Sequence, residues 1–141
     1  MTDKVFVDTN ILLYAHDQET GQKGEQANGI LRTLWKSKRG RLSTQVLQEF
    51  YVNVTKKIRP SLGRSQAREI IRSYAVWIEA ATTVDTILRA SEISEIWQIS
   101  FWDSLILASA EEVGASELFS EDLNSGQIIA GVKVVNPFDQ S

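Results

Sequence analysis

Apolar positions recur along the chain with more than one period, and their alternation lays out the elements. Val5, Phe6 and Val7 form a run too short for a helix and bounded by polar residues, which reads as a buried strand. A short helix from about Ile11 follows, then a polar break over 18–24. Ala27, Ile30, Leu31, Leu34 and Trp35 stand at i, i+3, i+4, i+7 and i+8, the apolar stripe of a helix that Gly40 ends. Residues 41–43 read as a short strand entering a helix over 46–57, with Val46, Leu47, Phe50 and Val54 inward. Pro60 and Gly63 punctuate the chain, and Ser65 is suited to cap a further helix with the stripe Ala67, Ile70, Ile71, Tyr74, Ala75 and Ile78.

In the second half, residues 82–84 read as a strand and Asp85 as the cap of a helix running to about Ile99. Another helix spans 101–114. Leu118-Phe119-Ser120 and residues 132–135 complete the strands, the last stopped by Asn136-Pro137. Strands alternating with helices predict an α/β fold built on a parallel sheet. At 141 residues, without repeats or linkers, the chain is expected to be one domain over 1–141.

In such sheets chemistry collects beyond the carboxyl ends of the strands. Four acids answer to that description. Asp8 follows the first strand directly, within Asp8-Thr9-Asn10, three residues that all cap helices well, where one cap would suffice. Glu49 falls about 60° outside Val46 on the helical wheel, at the rim of the apolar stripe rather than opposite it. Asp103 completes the capping-box pattern Ser100-Phe101-Trp102-Asp103 but lies in an apolar sequence where a carboxylate needs compensation. Asp122 sits two residues past the strand ending at Ser120, and taken alone reads rather as a plain turn in which Asp122 or Asn124 makes an Asx bond.

Composition narrows the chemistry available to these acids. The chain has no cysteine, so thiolate metal sites, disulfides and cysteine nucleophiles are excluded. The first apolar run is too short for a signal peptide and no run approaches a membrane span, so a cytoplasmic location is expected. The net charge of −3 conceals an asymmetry. Residues 32–72 carry eleven lysines and arginines against Glu49 and Glu69, a local charge of +9, leaving −12 on the remainder. That segment reads either as a solvated helix face or as a surface for a polyanion.

Convergence of the four carboxylates would be costly: two unit charges about 4 Å apart at an effective dielectric of about 20 repel by about 4 kcal/mol. Such a cluster requires a cation, protons held at raised pKa, or a basic neighbour. Hard oxygen ligands point to Mg²⁺ or Mn²⁺, an ion able to promote phosphodiester hydrolysis.

These residues also carry a likeness. V-D-T-N at 7–10, Glu49 on a mid-chain helix, F-W-D at 101–103, L-F-S-E-D-L at 118–123 and V-N-P-F at 135–138 resemble the PIN-domain ribonucleases, and among them the VapC-type toxins of bacterial toxin–antitoxin pairs. The resemblance spans nearly the whole chain. It implies a central parallel β-sheet flanked by α-helices in three α/β/α layers, and a Mg²⁺- or Mn²⁺-dependent endoribonuclease. It carries metal-binding and catalytic roles onto Asp8, Glu49, Asp103 and Asp122, with Asn10 and Ser120 supporting the pocket. Many relatives have a further Asp where this chain has Asn124, which leaves open whether one or two metals bind. A small antitoxin protein and a homodimer are the partners so implied.

On this reading RNA is the substrate, with Arg32, Lys36, Lys38, Arg39, Arg41, Lys56, Lys57 and Arg59 as candidate backbone contacts. Glu49 either ligates the ion or orients the attacking water. Two rival readings stand beside it. One is a catalytically silent PIN-like RNA-binding module. The other is a haloacid-dehalogenase-type phosphohydrolase, which usually needs a second Asp where this chain has Asn10. The single histidine, His16, reads as a surface or capping residue, and the four tryptophans as core or interface, with base stacking the alternative for each.

Overall fold

A computed structural model of the chain describes residues 3–58 and 60–139. Its sheet is built from short strands, of which only the first is buried on both faces throughout. Strand β1 (Val5–Val7) is wholly buried and occupies the interior of the sheet, between β2 (Gly40–Arg41) and β3 (Glu117–Phe119). Strand β5 (Val132–Val135) pairs with β3, and β4 (Ile128–Ile129) closes the edge, giving the order β2-β1-β3-β5-β4. The first three pairings in this order run parallel, with Val5 opposite Gly40 and Glu117, and Glu117 opposite Lys133. Only β4 runs antiparallel, as a hairpin with β5. Parallel strands all point one way, so Asp8, Ser43 and Ser120, the residues just past three strands, are delivered to the same end of the sheet.

Six α-helices flank this sheet: α1 (Thr9–His16), α2 (Gln22–Ser37), α3 (Thr44–Lys56), α4 (Arg64–Tyr74), α5 (Val84–Trp97) and α6 (Phe101–Glu112). Each apolar stripe found in the sequence packs into one core cluster containing Phe6, Ile11, Leu31, Phe50, Ile93, Leu107 and Leu118. No helix among the described residues is long and apolar enough to cross a membrane.

Several boundaries differ from the pattern-based reading, each for a local reason. The polar stretch 18–24 is not a break throughout: a 3-10 turn at Gln18–Thr20 leads straight into α2, and Gly24 lies inside that helix. A Cβ there would stand 2.6 Å from Thr20 Oγ1 and 2.9 Å from the Tyr14 carbonyl oxygen, so only glycine lets the turn pack so closely. The helix expected from Ser65 starts one residue earlier, capped by Gly63, whose N–H donates to Gln66 Oε1. The β-branched residues 82–84 form no strand. Thr83 and Thr86 instead build a reciprocal cap in which Thr83 N donates to Thr86 Oγ1 at 3.0 Å, and Val84, 71% exposed, opens α5. Asp85 therefore falls in the first helical turn rather than at the cap. Strand β4 has no sequence signal of its own, being two residues paired only through the hairpin.

Beyond α4 a 3-10 turn (Ala75–Trp77) tucks Trp77 inward, where its ring meets Trp35 and Tyr74 at centroid distances of 4.6 and 5.0 Å. Gly40, opening β2, lies directly on that ring: a Cβ at this position would be 2.7 Å from two of its carbons. Trp77 is only 4% exposed and cannot swing away. Gly40→Ala is therefore expected to destabilise the protein by about 1–3 kcal/mol, the usual cost of overpacking. Denaturant unfolding checks this, and an unchanged midpoint would contradict the packing described.

Candidate acidic site

The carboxyl end of β1 is the floor of the site. Asp8 caps α1, as its residue type suggests, and is also tied across the sheet. Its Oδ1 accepts the Thr9 N–H at 2.7 Å, and its Oδ2 accepts the Ser120 hydroxyl at 2.7 Å. The same Ser120 Oγ accepts the Asp122 N–H at 3.1 Å. One buried hydroxyl thus joins the end of β1 to the loop that carries Asp122. Backbone pairing keeps the two in register: Asp8 N–H donates to the Phe119 carbonyl and Ser120 N–H to the Val135 carbonyl, both at 3.0 Å.

Helix α3 brings in the third acid. The Thr9 hydroxyl donates to Glu49 Oε1 at 2.7 Å, and Gln45, one turn earlier, places its Nε2 3.5 Å from Glu49 Oε2. Gln45 Nε2 also donates to the Trp102 carbonyl at 3.2 Å, linking α3 to the first turn of α6. Asp103 lies in that turn. Ser100 caps α6 by accepting the Asp103 N–H at 3.1 Å, and a hydrogen bond with the Ser100 side chain also bears on the Asp103 carboxylate, lowering its pKa against the effect of burial.

Electrostatics show that the four acids share one neighbourhood. Asp8, 5% exposed, has its pKa pushed up to about 6, mainly by burial. The Ser120 and Thr9 hydrogen bonds oppose the shift, and the charges of Asp122 and Glu49 add to it. Asp103 is also raised, again chiefly by burial, with Asp122 and Glu49 contributing. None of the ion pairs among the described residues reaches Asp8, Glu49, Asp103 or Asp122. Glu121, next along the chain from Asp122, makes the contrast: Lys23 pairs with it and the Tyr14 hydroxyl donates to it, and these partners hold its carboxyl below the usual range although desolvation pushes the other way.

The donor set suits a hard divalent cation, being all oxygen with no imidazole or thiolate beside it. Unpaired polar atoms point the same way. Among the described residues, the buried side-chain atoms without a hydrogen-bond partner are both amide atoms of Asn10, Ser43 Oγ and Gln45 Oε1, all on segments leaving the carboxyl ends of β1 and β2. Buried polar atoms are rarely left so, and their grouping marks a place built for a further polar occupant. Among the described residues no three acidic or histidine side chains are gathered tightly enough to ligate one ion in this arrangement.

The other residues singled out in the sequence are placed unevenly. Asn124 is exposed and only its carbonyl is engaged, accepting the Gln127 N–H at 3.3 Å. Lys38 and Arg39 precede β2 and so stand at the amino ends of the strands, opposite the acids. Arg39 donates to the Asp3 carbonyl, and Arg41 pairs with Glu79 at 2.7 Å. Arg32 and Lys36 are exposed on α2, and Lys36 lies in its last turn, toward the same far end. Lys56 and Lys57 are exposed at the end of α3, roughly 10 Å along its axis from Glu49. Arg59 lies outside the described residues. His16 ends α1 half-buried, its ring 5.5 Å from that of Phe50, rather than as a free surface residue. Sequence reasoning did not find Thr9 and Gln45 as holders of Glu49, nor Lys23 as the partner of Glu121. Only the i, i+4 spacing of Gln45 and Glu49 offered a signal.

The chain matches the PIN domain family over residues 5–128. No curated protein matches it. Solved structures similar to it include a chain of a toxin–antitoxin complex from Klebsiella pneumoniae, with TM-score 0.68 and 20% identity over 96% of this chain and 99% of that one. VapC20 of Mycobacterium tuberculosis, a sarcin–ricin loop cleaving toxin, aligns with TM-score 0.60 and 23% identity over 84% and 92% of the two chains. A chain of DNA-bound VapBC from Salmonella typhimurium gives TM-score 0.62 and 16% identity over 94% and 97%. At such identities the likeness speaks for the fold.

A raised carboxylate pKa has a definite consequence for stability. The unfolded Asp8 releases its proton near its ordinary value of 3.8, whereas the folded one keeps it to about 6. Between these values the folded state binds more protons, so stability is greatest at acid pH and falls as pH rises through the interval, by about 3 kcal/mol at most from this group. Asp103 acts in the same direction. Asp8→Asn cannot ionise, so in EDTA its melting temperature relative to the unaltered protein should climb between about pH 4 and pH 7. A difference independent of pH would show that Asp8 carries no such penalty.

Proposed function

The chain belongs to the PIN-domain family, and from that premise we propose that it is a metal-dependent endoribonuclease, the toxin component of a type II toxin–antitoxin pair. The observation that carries this reading is the acidic centre itself: four carboxylates within electrostatic reach of one another, without an internal cation. Two of the similar structures are a toxin–antitoxin complex and a toxin that cleaves the sarcin–ricin loop, which supports an RNA substrate and an antitoxin partner. The family likeness extends this to a homodimer. A silent RNA-binding module would have no need to retain all four acids, and a haloacid-dehalogenase-type phosphohydrolase lacks its second acid at Asn10.

Asp8, Asp103 and Asp122 are the residues that would hold Mg²⁺ or Mn²⁺, with Glu49 beside them. When bound, the ion supplies Lewis-acid stabilisation of the charge that develops on a phosphodiester. The chain's own groups provide the order. Ser120 and the Thr9 amide fix both oxygens of Asp8, and Thr9 and Gln45 hold Glu49 from two sides, so little reorganisation remains for the reaction. Asn10 offers an unpaired amide to the same region. Lys23, Lys56 and Lys57 are the cations best placed to meet an RNA backbone, rather than the group at the amino ends of the strands.

Loss of Asp8 as an anion should remove several kcal/mol of transition-state stabilisation, so Asp8→Asn is expected to cleave RNA about 100-fold more slowly or worse, with an unchanged circular dichroism spectrum. Full cleavage by this variant in Mn²⁺ would refute the assignment. Mn²⁺ in excess should raise the melting temperature of the unaltered protein by mass action, and EDTA should reverse the rise. A melting temperature indifferent to Mn²⁺ would count against any ion at this site. Glu49→Gln separates the two roles of that residue: lost Mn²⁺ affinity marks a ligand, and lost turnover at unchanged affinity marks a water-orienting group.

A further inference from the structure

Trp102 is an exposed aromatic residue placed against the acidic centre, and nothing in that centre's metal chemistry uses it. Its side chain is 62% exposed, a large apolar surface to leave in water at the first turn of α6. The other tryptophans are differently placed. Trp35 and Trp77 stack with Tyr74 beside Gly40, toward the amino ends of the strands, and Trp97 closes α5. Trp102 precedes Asp103 immediately, so the two Cα atoms are about 3.8 Å apart. Its backbone is not loose. The Trp102 carbonyl accepts from Gln45 Nε2, the same amide that reaches Glu49, and its ring makes an edge contact with Phe101 at 5.2 Å and 82°. The backbone that carries this indole is thereby fixed next to the acids, beside the place where a phosphodiester would have to lie.

We propose that Trp102 is a stacking platform for a base of single-stranded RNA, the nucleotide next to the cleaved linkage. The proposal rests on the ribonuclease reading above. A base suits this position better than a protein side chain does, because the groups around it are carboxylates, and a neutral π-face is the part of an RNA that such surroundings do not repel. Stacking on an indole is also indifferent to base identity, so it supplies affinity and positioning without a sequence code. It would compensate for the scarcity of lysine and arginine at this end of the sheet, where the basic residues 38, 39 and 41 do not reach.

The test is fluorescence anisotropy with the full chain carrying Asp8→Asn to suppress cleavage, in Mg²⁺. The probes are a labelled oligoadenylate of about ten nucleotides and an abasic ribose-phosphate oligomer of the same length. Trp102→Ala should weaken binding of oligoadenylate by about 5- to 150-fold, while Trp102→Phe retains most of it. Neither change should alter binding of the abasic oligomer, whose phosphates are the same. Equal oligoadenylate affinity in Trp102→Ala and the parent overturns the stacking role, including the case in which Trp102 serves a protein partner instead. A loss of the same size on the abasic oligomer also overturns it, because the effect would then be structural. In the Asp8-containing protein, RNA cleavage that persists with unaltered KM on Trp102→Ala refutes the platform while leaving the ribonuclease reading intact. Absence of both RNA binding and cleavage in the unaltered chain refutes the two together.

Discussion

Like-charge repulsion is the constraint around which this molecule is arranged. Asp8, Glu49, Asp103 and Asp122 come from four separated segments, and the fold brings them within range of one another's charge while no lysine or arginine among the described residues pairs with any of them. Elsewhere the protein does neutralise its acids: Glu79 is shared by Lys4 and Arg41, Glu111 is gripped by Arg89, and Glu121 is held by Lys23. The withholding of countercharge is therefore local. It leaves the buried acids without internal compensation, at a cost to stability where they ionise.

The scaffold meets that expense through rigidity. Asp8 is anchored between the Thr9 amide and the Ser120 hydroxyl, and the sheet pairing of β1, β3 and β5 fixes the two loops that carry these groups. Glu49 cannot retreat from its neighbours by rotating freely, since Thr9 holds one of its oxygens at 2.7 Å. Around these bonds lies a continuous apolar core in which Phe6, Ile11, Leu12 and Leu118 are fully buried, so the backbone beneath the acids has no room to relax. The strain appears in protonation instead: Asp8, the most deeply buried of the four, has its pKa pushed up to about 6, mainly by desolvation, with the charges of Asp122 and Glu49 adding to it.

The same economy explains the distribution of polar residues near the site. Thr9 and Gln45 are neutral, and each bridges two elements while adding no charge. Asn10 and Ser43 present atoms that the protein itself does not satisfy. Only on the flank, at Glu121, does a cation approach, and there Tyr14 and the face of Phe138 help to seat Lys23.

Much of this was legible in the chain before any coordinates. The runs at 5–7 and 132–135 specify strands because a short apolar segment can be covered on both sides only inside a sheet, and the 3.6-residue stripes specify helices by the same logic of burial. The candidate acids were visible too: Asp8, Glu49 and Asp103 interrupt an apolar context at a strand end, helix rim or helix start, whereas Asp122 alone reads as a turn and draws its weight from the other three. What the chain alone could not settle was whatever depends on partners distant in sequence. Residues 82–84 have strand-forming side chains but no strand to pair with, so a local cap took them into a helix. Strand β4 exists only because β5 lies beside it. The basic segment looked continuous in one dimension, yet β2 enters the sheet from the far end and carries Lys38 and Arg39 away from the acids. Local composition determines what a segment can become. Which ends of the strands meet, and which charges face one another there, is decided by long-range register and burial, quantities that exist only once the chain has closed on itself.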